Sequence, residues 1–446
     1  MFRSTLGNTR RASVGAILSA LGFATAAFGQ ITLYVSSSCG DDAWTGLSPV
    51  CQGPDGPKAT IQAGINASVT GDTVLVADGT YTGFPGNKWL WFPFERNSTL
   101  RSENGPENCI IDLENDGLAF FFVGDEPPEA VVDGFTITNG NNTEGGAIYF
   151  HHQSRVIIRN CILTGNTAPG GGAIACDNDS SPTIINCVIT GNTAGFNGGA
   201  VVTTGESTPT FINCTITGNT AGWNGGAVFL NGFRGIGPTF INCTIADNTA
   251  GREGGGLFAG GFESGATVNN SIIWGNSGDQ ITGPGGDVIV RFSDVQGGFA
   301  GPGNINADPR FVDPANGDYS LAPGSPAIDA ADNTAVPPGV TTDLAGNPRF
   351  VDDPATPDTG NGLPPIVDMG AFEFQGASFR RGDLNCDGAI NGADIDPFFL
   401  ALGDPAGYTA QFPNCNILNA DMNLDGRVNG ADIDPFFVCL GGGGCP

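Results

Sequence analysis

The chain has 446 residues and a formal net charge of −28 at pH 7, with 71 glycines and only 14% charged residues. A charge of this sign and size repels nucleic acid and anionic lipid, so neither is expected as a partner. The composition is not that of an ordinary globular enzyme, and an apolar fraction of 40% is too high for a disordered tail, which leaves a repetitive fold as the expectation.

The first 29 residues have the pattern of a secretory signal. Three arginines, Arg3, Arg10 and Arg11, precede an apolar run from Val14 to Phe28 that has small residues near its end. No later segment approaches the roughly 18 unbroken apolar residues that a membrane-spanning helix needs. The sequence therefore predicts a secreted protein, extracellular or attached to the cell surface, with no transmembrane segment, and we expect a monomer.

All twelve cysteines follow the signal, and export makes disulfides possible. Cys39 and Cys51 are the simplest local pair. Four further cysteines can cross-link the C-terminal segment, namely Cys386, Cys415, Cys439 and Cys445. Their connectivity is not readable from the sequence.

Residues 59–83 predict a short amphipathic helix followed by the first strand and turn of a stacked fold. A stack of strands has open ends that pair with other chains unless they are covered, so the helix is expected to act as an N-terminal lid. The segment resembles the start of many pectate-lyase-like right-handed β-helix proteins. That resemblance implies a β-helix over residues 30–299.

Four closely similar segments between residues 155 and 280 form a repeat. Each contains an Asn-Cys pair, a short β-branched run, an Asn-Thr-Ala triplet and a glycine-rich turn, and the cysteines, 26, 27 and 29 residues apart, are Cys161, Cys187, Cys214 and Cys243. A period of this length without a helical pattern predicts a solenoid with three short strands and three turns in each coil. The repeats resemble polymorphic outer-membrane and adhesin-type β-helices, so the predicted fold class is all-β, a right-handed parallel β-helix.

The residues around each cysteine predict a bend. Strict alternation would point Arg159 into the core, where an unpaired Arg is costly, so we expect the preceding asparagines to take left-handed turn conformations. These asparagines are Asn160, Asn186, Asn213 and Asn242, and the inward side chains are Ile158, Ile184, Phe211 and Phe240, together with the four cysteines. The cysteines are interpreted as buried free thiols, because parallel Cβ vectors on stacked coils disfavour the disulfide torsion.

A second asparagine series predicts a structural amide ladder along the stack: Asn166, Asn192, Asn219, Asn248 and Asn276. Phe196 and Trp223 occupy the same turn position of successive coils, so they are expected on neighbouring rungs at the surface. There they can form an apolar platform for sugar rings, or they can simply shield the turn.

Residues 300–376 contain three sequence motifs, NADPRFVDPANGDYSLAPGSPAIDAADN, TDLAGNPRF and VDMGAFEF. These resemble the module that closes the β-helix in many bacterial surface proteins, often called choice-of-anchor Q. The Pro- and Asp-rich connections predict loops wrapped on the last coils. Four aspartates can be interpreted as catalytic or as turn caps, and the second interpretation is adopted for Asp308, Asp313, Asp329 and Asp368.

Residues 383–394 and 421–432 both match the 12-residue calcium-loop template, except that Asp replaces Glu at position twelve. The ion would be ligated by the side chains at positions one, three, five and twelve and by the backbone carbonyl at position seven. The Asn at position nine would bind it through a water molecule. The predicted ligands of two Ca²⁺ ions are Asp383, Asn385, Asp387, Ala389, Asn391 and Asp394, then Asp421, Asn423, Asp425, Arg427, Asn429 and Asp432. The alternative is a pair of metal-free Asx turns.

Both loops are followed by the run IDPFF, and residues 380–446 resemble the duplicated loop-plus-helix units of a type I dockerin. The resemblance implies a small α-helical, EF-hand-type calcium module and a cohesin-like or other surface docking partner. One departure from the family is that Gly392-Ala393 and Gly430-Ala431 replace the hydroxyl pair commonly used for cohesin contact.

The fold does not settle the function, because β-helices occur in lyases, hydrolases and adhesins alike. Acids in the repeats do not recur at one position, and no catalytic residue is assigned. We expect a calcium-binding surface protein that acts in adhesion, carbohydrate binding or surface assembly. The alternative is a polysaccharide lyase or glycoside hydrolase on a pectate-lyase-like β-helix, docked through the dockerin-like module.

Overall fold

The computed structural model describes most of the chain after the predicted signal, and residues 1–29 lie outside the described part. The described ranges are 30–93, 96–124, 130–232, 235, 237–261, 263–284, 287–354, 356–376, 381–386, 389–412, 415–423, 427–441 and 445.

Three long parallel sheets run along a solenoid, because each strand pairs with the equivalent strand one coil away. The first sheet has ten strands: Thr32–Val35, Thr73–Val76, Thr99–Ser102, Val131–Asp133, Ile157–Arg159, Thr183–Ile185, Thr210–Ile212, Thr239–Ile241, Ala266–Asn269 and Val288–Arg291. The second has nine: Gly79–Tyr81, Cys109–Asp112, Thr136–Thr138, Ile162–Thr164, Val188–Thr190, Thr215–Thr217, Thr244–Ala246, Ile272–Trp274 and Asp294–Val295. The third has seven: Phe120–Phe122, Ile148–Phe150, Ile174–Cys176, Val201–Gly205, Val228–Gly232, Leu257–Ala259 and Ile281–Thr282.

A fourth, shorter sheet corrects the expectation of three strands in each coil. Its four strands are Thr167–Gly170, Thr193–Asn197, Thr220–Ala221 and Thr249–Ala250. They contain the Asn-Thr-Ala triplets in register, with Thr167 opposite Thr193 and Thr220 opposite Thr249. In each triplet the threonine is exposed, while the asparagine is buried and the alanine is buried or half-buried.

The predicted bend before each cysteine is confirmed. Asn160, Asn186, Asn213 and Asn242 have φ values of 50–53°. The residues expected to point inward, including the four cysteines, are buried in one continuous hydrophobic core. Arg159 points outward and forms an ion pair of 2.9 Å with Asp133 on the neighbouring coil, so the first coil has no unpaired buried charge.

The amide ladder is also confirmed, and each of its side chains is buried. At its centre, Asn219 Oδ1 accepts hydrogen bonds from the backbone N and the Nδ2 of Asn192, at 2.9 and 3.0 Å. Asn219 Nδ2 donates to Asn248 Oδ1 at 2.9 Å and also to two carbonyls, those of Ile189 and Thr217. The series therefore satisfies buried polar groups of consecutive coils.

The N-terminal helix spans Ile61–Ala67 and begins after Thr60, whose Oγ1 accepts a hydrogen bond from Ala63 N. Ile61 and Ile65 belong to the same hydrophobic core as the coils, as a lid requires. The expectation that the first strand follows this helix is wrong, since Thr32–Val35 precedes the helix and pairs with Thr73–Val76.

Residues 300–376 pack on the last coils with a hydrophobic cluster of their own, which also contains Ile272. This segment has an antiparallel hairpin of Phe311–Asp313 and Asp318–Leu321 and two short 3₁₀ helices, Pro314–Asn316 and Asn333–Ala335. It is tied to the solenoid by long-range hydrogen bonds, including Asn213 Nδ2 to Thr342 O at 2.8 Å and Ala371 N to Thr244 Oγ1 at 3.0 Å.

The last described segment is helical. Its α-helices are Ile395–Gly403, Pro405–Gln411 and Ile433–Leu440, and its 3₁₀ helices are Gly392–Asp394, Ile417–Ala420 and Gly430–Asp432. A third hydrophobic cluster, which includes Leu384, Tyr408 and Met422, lies within this segment. None of the described helices has the length and apolar character that a membrane crossing requires.

Disulfides link Cys39 to Cys51, Cys386 to Cys415, and Cys439 to Cys445. The second and third of these pairings were left open by the sequence. Six cysteines inside the solenoid are free and buried, namely Cys109, Cys161, Cys176, Cys187, Cys214 and Cys243. The interpretation of the repeat cysteines as apolar fillers is therefore confirmed.

Candidate calcium loops and an aromatic face

The aspartates at position twelve, Asp394 and Asp432, organise the two predicted calcium loops. Asp394 Oδ1 accepts hydrogen bonds from the backbone N of Leu384 and Asn385 at 2.8 and 3.1 Å, and its Oδ2 accepts one from Asn391 N at 2.8 Å. Asp432 repeats this pattern in the second loop with the same three distances. Each carboxylate thus joins positions two, three and nine of its own loop.

The remaining predicted ligands differ in exposure. Position one of each loop, Asp383 and Asp421, is buried, as is position twelve. Positions seven and nine are exposed, and in the first loop these are Ala389 and Asn391. In the second loop Asn423, at position three, is exposed as well. Position five of both loops lies outside the described residues, as do the glycines at position six, so Asp387 and Asp425 stay predictions.

Asparagine at position nine has a structural role in addition to the predicted water-mediated one. Asn391 Oδ1 accepts a hydrogen bond from Ala393 N at 2.9 Å, and its Nδ2 donates to Ala389 O at 3.2 Å. Asn429 accepts the equivalent bond from Ala431 N. Asp394 and Asp432 in turn accept hydrogen bonds from the backbone N of Asn391 and Asn429. Each Asn–Asp pair therefore forms a capping box at the start of the following helix.

The two loop-plus-helix units pack on each other through equivalent residues. Phe398 and Phe436, the first phenylalanines of the two IDPFF runs, stack with ring centroids 4.0 Å apart and an interplanar angle of 6°. Ile390 and Val428, at position eight of the loops, both pack against the hydrophobic cluster of this segment. The duplication in the sequence therefore produces a paired structure.

Tyr408 and Arg381 add to the surroundings of the loops. Tyr408 Oη donates to Leu384 O at 2.9 Å. Burial raises the pKa of Tyr408 to about 12, and the charges of Asp383 and Asp394 contribute to the rise. Arg381 Nε donates to the backbone O of Asp421 at 2.6 Å, and its Nη2 lies 3.5 Å from the Asp421 carboxylate. Arg381 thus holds the start of the second loop.

Phe196 and Trp223 are neighbours on the surface, as predicted. Their ring centroids are 4.6 Å apart, and 47% of Phe196 and 40% of Trp223 is exposed. The ring planes are tilted by 57°, and the Arg252 guanidinium lies 4.4 Å from the centroid of the Trp223 ring. Because the rings are not coplanar and Arg252 covers Trp223, this geometry favours shielding of the turn over a flat sugar platform.

A longer apolar row lies on the outer face of the third sheet. Its members face outward at equivalent positions of consecutive coils, in register with one another: Phe121, Tyr149, Ala175, Val202, Phe229 and Phe258. Phe121 and Tyr149 have ring centroids 5.5 Å apart, and Phe229 and Phe258 are stacked at 5.7 Å. Trp89 extends the row at one end, 6.0 Å from Phe121. Tyr149, Ala175 and Phe258 are only 6–8% exposed, so only part of the row is accessible from solvent.

A polar cluster borders this row. Tyr149 Oη lies 3.0 Å from His151 Nδ1 and donates to Asp177 Oδ2 at 3.4 Å. His151 Nδ1 is itself 3.5 Å from Asp177 Oδ2, and Thr204 Oγ1 donates to Asp177 Oδ1 at 2.7 Å. Burial raises the pKa of Tyr149, and the charge of Asp177 adds to the rise. The phenol is therefore protonated at neutral pH and acts as a hydrogen-bond donor.

This face was not predicted from the sequence, although the sequence contains a signal for it. The row members are 26 to 29 residues apart, which is one period of the repeat. Aligning every aromatic residue to the repeat, rather than only those in the glycine-rich turn, would have found Tyr149, Phe229 and Phe258. The cluster of Tyr149, His151 and Asp177 has no such signal, because its polar members occur in single coils.

The turn-capping interpretation of the aspartates in residues 300–376 is confirmed for Asp308, whereas Asp329 and Asp368 join segments that are distant along the chain. Asp308 accepts from Arg310 N, Asp329 from Asp353 N, and Asp368 from the N of Asp329 and Phe374. Asp313 instead accepts from the side chain of Asn316. These bonds assign the carboxylates to holding loops.

The comparisons with known proteins agree with the strand pairing. Residues 116–295 match the family described as right-handed β-helix region. The chain contains a right-handed parallel β-helix. No curated protein matches it.

Solved structures similar to this β-helix protein are distant. A pectate lyase, Pel9A, is 13% identical with a TM-score of 0.42, covering 77% of this chain and 96% of its own. A rhamnogalacturonan lyase is 14% identical with a TM-score of 0.35, covering 63% and 90%. The PL6 family alginate lyase AlyGC is 12% identical with a TM-score of 0.20, covering 62% and 54%.

Proposed function

We propose that this chain is a secreted or cell-surface protein in which the β-helix displays a binding face and a calcium-loaded, dockerin-like C-terminal module provides attachment. The observation that carries the proposal is the equivalence of the two loops. Asp394 and Asp432 make the same three backbone hydrogen bonds at the same distances, within a sequence that matches the calcium-loop template twice.

The donor set of the loops fits calcium. All predicted ligands are oxygens, which Ca²⁺ prefers, and the buried carboxylates of Asp383 and Asp394 lie in one loop, as do those of Asp421 and Asp432. Burying like charges together is unfavourable unless a cation offsets them. A bound Ca²⁺ would supply that charge and cross-link both ends of each loop.

Calcium titration of the mature chain, residues 30–446, tests this proposal. We expect isothermal titration calorimetry to detect two loop ions, and EDTA to lower the melting temperature of the C-terminal module. The double substitution Asp383→Asn with Asp421→Asn should abolish both effects. Asp396→Asn with Asp434→Asn is the matched control, because these exposed aspartates of the IDPFF runs carry the same charge outside the loops. Absence of calcium binding by the wild-type chain would refute the proposal.

The attachment role is supported by an apolar surface on the same module. Phe399 and Phe437, the second phenylalanines of the IDPFF runs, are exposed with centroids 6.4 Å apart, and Val438 is exposed beside Phe437. A repeated apolar surface next to two calcium loops suits a docking partner such as a cohesin. Binding of a purified cohesin domain that depends on calcium and is lost in Phe399→Ala with Phe437→Ala would support that partner; no binding would exclude that cohesin.

Polysaccharide binding at the outer face of the third sheet is a second candidate function. Aromatic rings pack against the apolar faces of sugars, and at one end of this row Trp89 is exposed and Phe121 is half-buried. Retention of the mature chain on immobilised polysaccharides should fall at least tenfold in Trp89→Ala with Phe121→Ala, while Phe196→Ala with Trp223→Ala changes it little. Equal retention of all three proteins would remove this face from consideration.

A polysaccharide lyase or glycoside hydrolase remains the alternative, and the contacts among Tyr149, His151 and Asp177 are the observation in its favour. The raised pKa of Tyr149 argues against the phenolate as a general base, which leaves His151. A panel of polysaccharides assayed for unsaturated products and for reducing ends distinguishes cleavage from binding. Activity that disappears in His151→Ala would establish the enzyme.

A further inference from the structure

A cluster of three carboxylates lies outside the two predicted calcium loops, in residues 300–376. Asp329, Asp352 and Asp358 each place a carboxylate oxygen within 4.8 Å of the other two. Asp352 and Asp358 are exposed, whereas Asp329 is fully buried. Acidic clusters on a surface are common, so the buried member decides whether this one has a ligand.

The side chain of Asp329 has an unused buried oxygen. Its Oδ2 accepts a hydrogen bond from Asp353 N at 3.2 Å, but its Oδ1 is buried without a hydrogen-bond partner among the described residues. An unpartnered buried acceptor costs on the order of 1–3 kcal/mol, and more if it is charged. A cation at the cluster would remove that cost, whereas another hydrogen-bond acceptor would not.

The backbone fixes Asp329 relative to the loop that carries the other two aspartates. Asp329 N donates to Asp368 Oδ1 at 2.8 Å, and Asp329 O accepts from Thr359 N and Gly360 N at 2.9 and 3.1 Å. Because Gly360 and Thr359 directly follow Asp358, these bonds hold Asp358 beside Asp329. The three carboxylates are therefore brought together by the fold.

The electrostatics of the cluster also favour a cation. The carboxylate oxygens of Asp329, Asp352 and Asp358 lie within 4.8 Å of one another, and like charges at that range are unfavourable without a cation. The three aspartates thus repel one another as they stand.

We infer that Asp329, Asp352 and Asp358 bind one calcium ion, which fastens Asp352 and Asp358 to the buried Asp329. Ca²⁺ accepts carboxylate oxygens and waters in a flexible geometry, whereas Mg²⁺ demands a near-ideal octahedron. Three carboxylates, with water completing the shell, suit an affinity of about 0.1–1 mM, typical of extracellular modules.

Counting bound calcium separates this site from the C-terminal loops. We expect three ions per mature wild-type chain by equilibrium dialysis at 5 mM calcium. Asp352→Asn with Asp358→Asn should bind one ion fewer, and Asp383→Asn with Asp421→Asn should retain the ion at Asp329. The charge-matched control, Asp279→Asn with Asp318→Asn, replaces two exposed aspartates elsewhere and should bind as many ions as the wild type.

Hydrogen exchange provides a second measurement at the site itself. Calcium should slow exchange of the Thr359 and Gly360 amides at least tenfold in the wild type and in the variant with both loops disabled, but not in Asp352→Asn with Asp358→Asn. Equal calcium counts for the wild type and this cap variant, with no change in exchange at Thr359 and Gly360, would overturn the inference. That result leaves the C-terminal loops unaffected, because their loss is detected by the other variant.

Discussion

The repeats and the segment that closes them bury polar groups in opposite ways. In the repeats, the buried groups are neutral amides, and Asn219 receives from and donates to the same residue type one coil away. In residues 300–376, the buried groups are charged: Arg349 is fully buried and donates to the carbonyls of Asp368 and Gly370, with Glu373 3.6 Å away. Burial raises the pKa of Asp368 to about 8 even though Arg349 opposes the rise.

A repeated unit can satisfy its buried polar groups through the next copy, whereas a segment that occurs once needs other partners. A solenoid satisfies each ladder amide with its neighbour in the stack, so the ladder needs no charge. A closing segment has no following coil, so its loops are held by carboxylates that accept backbone N–H groups from distant positions. The first arrangement should be insensitive to pH and intolerant of substitution, and the second should depend on pH and on cations.

The largest expected effect is a break in the amide ladder. Asn219→Ala removes an acceptor used twice by Asn192 and a donor used by two carbonyls, all of them buried. We expect the free energy of unfolding to fall by on the order of 3–5 kcal/mol, measured by denaturant titration, because several buried groups lose partners at once. Asn224→Ala, in the half-exposed turn of the same coil, is the control and should cost less than about 1 kcal/mol. Similar losses for both would mean that the ladder is not what holds the coils.

An intermediate effect is expected at the junction of the two regions, where Asp294 ends the second sheet. Asp294 is fully buried, its Oδ1 accepts from Ala307 N at 3.2 Å, and burial raises its pKa from 3.8 to about 7. The folded protein therefore binds a proton more tightly than the unfolded chain, so this group lowers the free energy of unfolding as the pH rises from about 4 to about 7.

Asparagine is neutral at every pH, so Asp294→Asn tests the slope of the free energy of unfolding against pH. At pH 8 the variant should be more stable than the wild type by about 2–4 kcal/mol, and at pH 4 the two should agree within about 1 kcal/mol. Asp279→Asn, which replaces an exposed carboxylate, should leave the slope unchanged. A variant that is destabilised equally at both pH values would contradict the neutral state of Asp294.

The smallest effect concerns the buried thiols. Burial raises the pKa of Cys187 and Cys243, so their reactive thiolate forms are scarce in the folded chain. A thiol reagent should modify none of the six free cysteines in the native protein and all six after denaturation. Cys214→Ala should cost about 1–2 kcal/mol, as expected when an apolar filler is removed. Fewer than six thiols in denaturant without reductant would indicate disulfides inside the solenoid.

The repeated parts of the structure were predictable residue by residue. The conflict between alternation and a buried Arg159 was enough to place Asn160 in a left-handed turn, and the same turn then followed for the other coils. The fourth sheet was not predicted, because a two-residue strand such as Thr220–Ala221 has no periodicity of its own. The strand Thr32–Val35 was missed because the strand that it pairs with, Thr73–Val76, lies beyond the helix, about 40 residues along the chain.

Sequence alone determined what repeats: the coil period, the inward and outward residues, the amide ladder and the duplication of the C-terminal loops, because each pattern recurs at fixed spacing. Tertiary structure decided what occurs once. It brought Tyr149 to His151 and Asp177, and it placed Asp329 beside Asp352 and Asp358, since these contacts depend on how single loops close over the coils. Local sequence carries no record of such contacts, because each partner is a common surface residue that acquires its role only through burial and proximity.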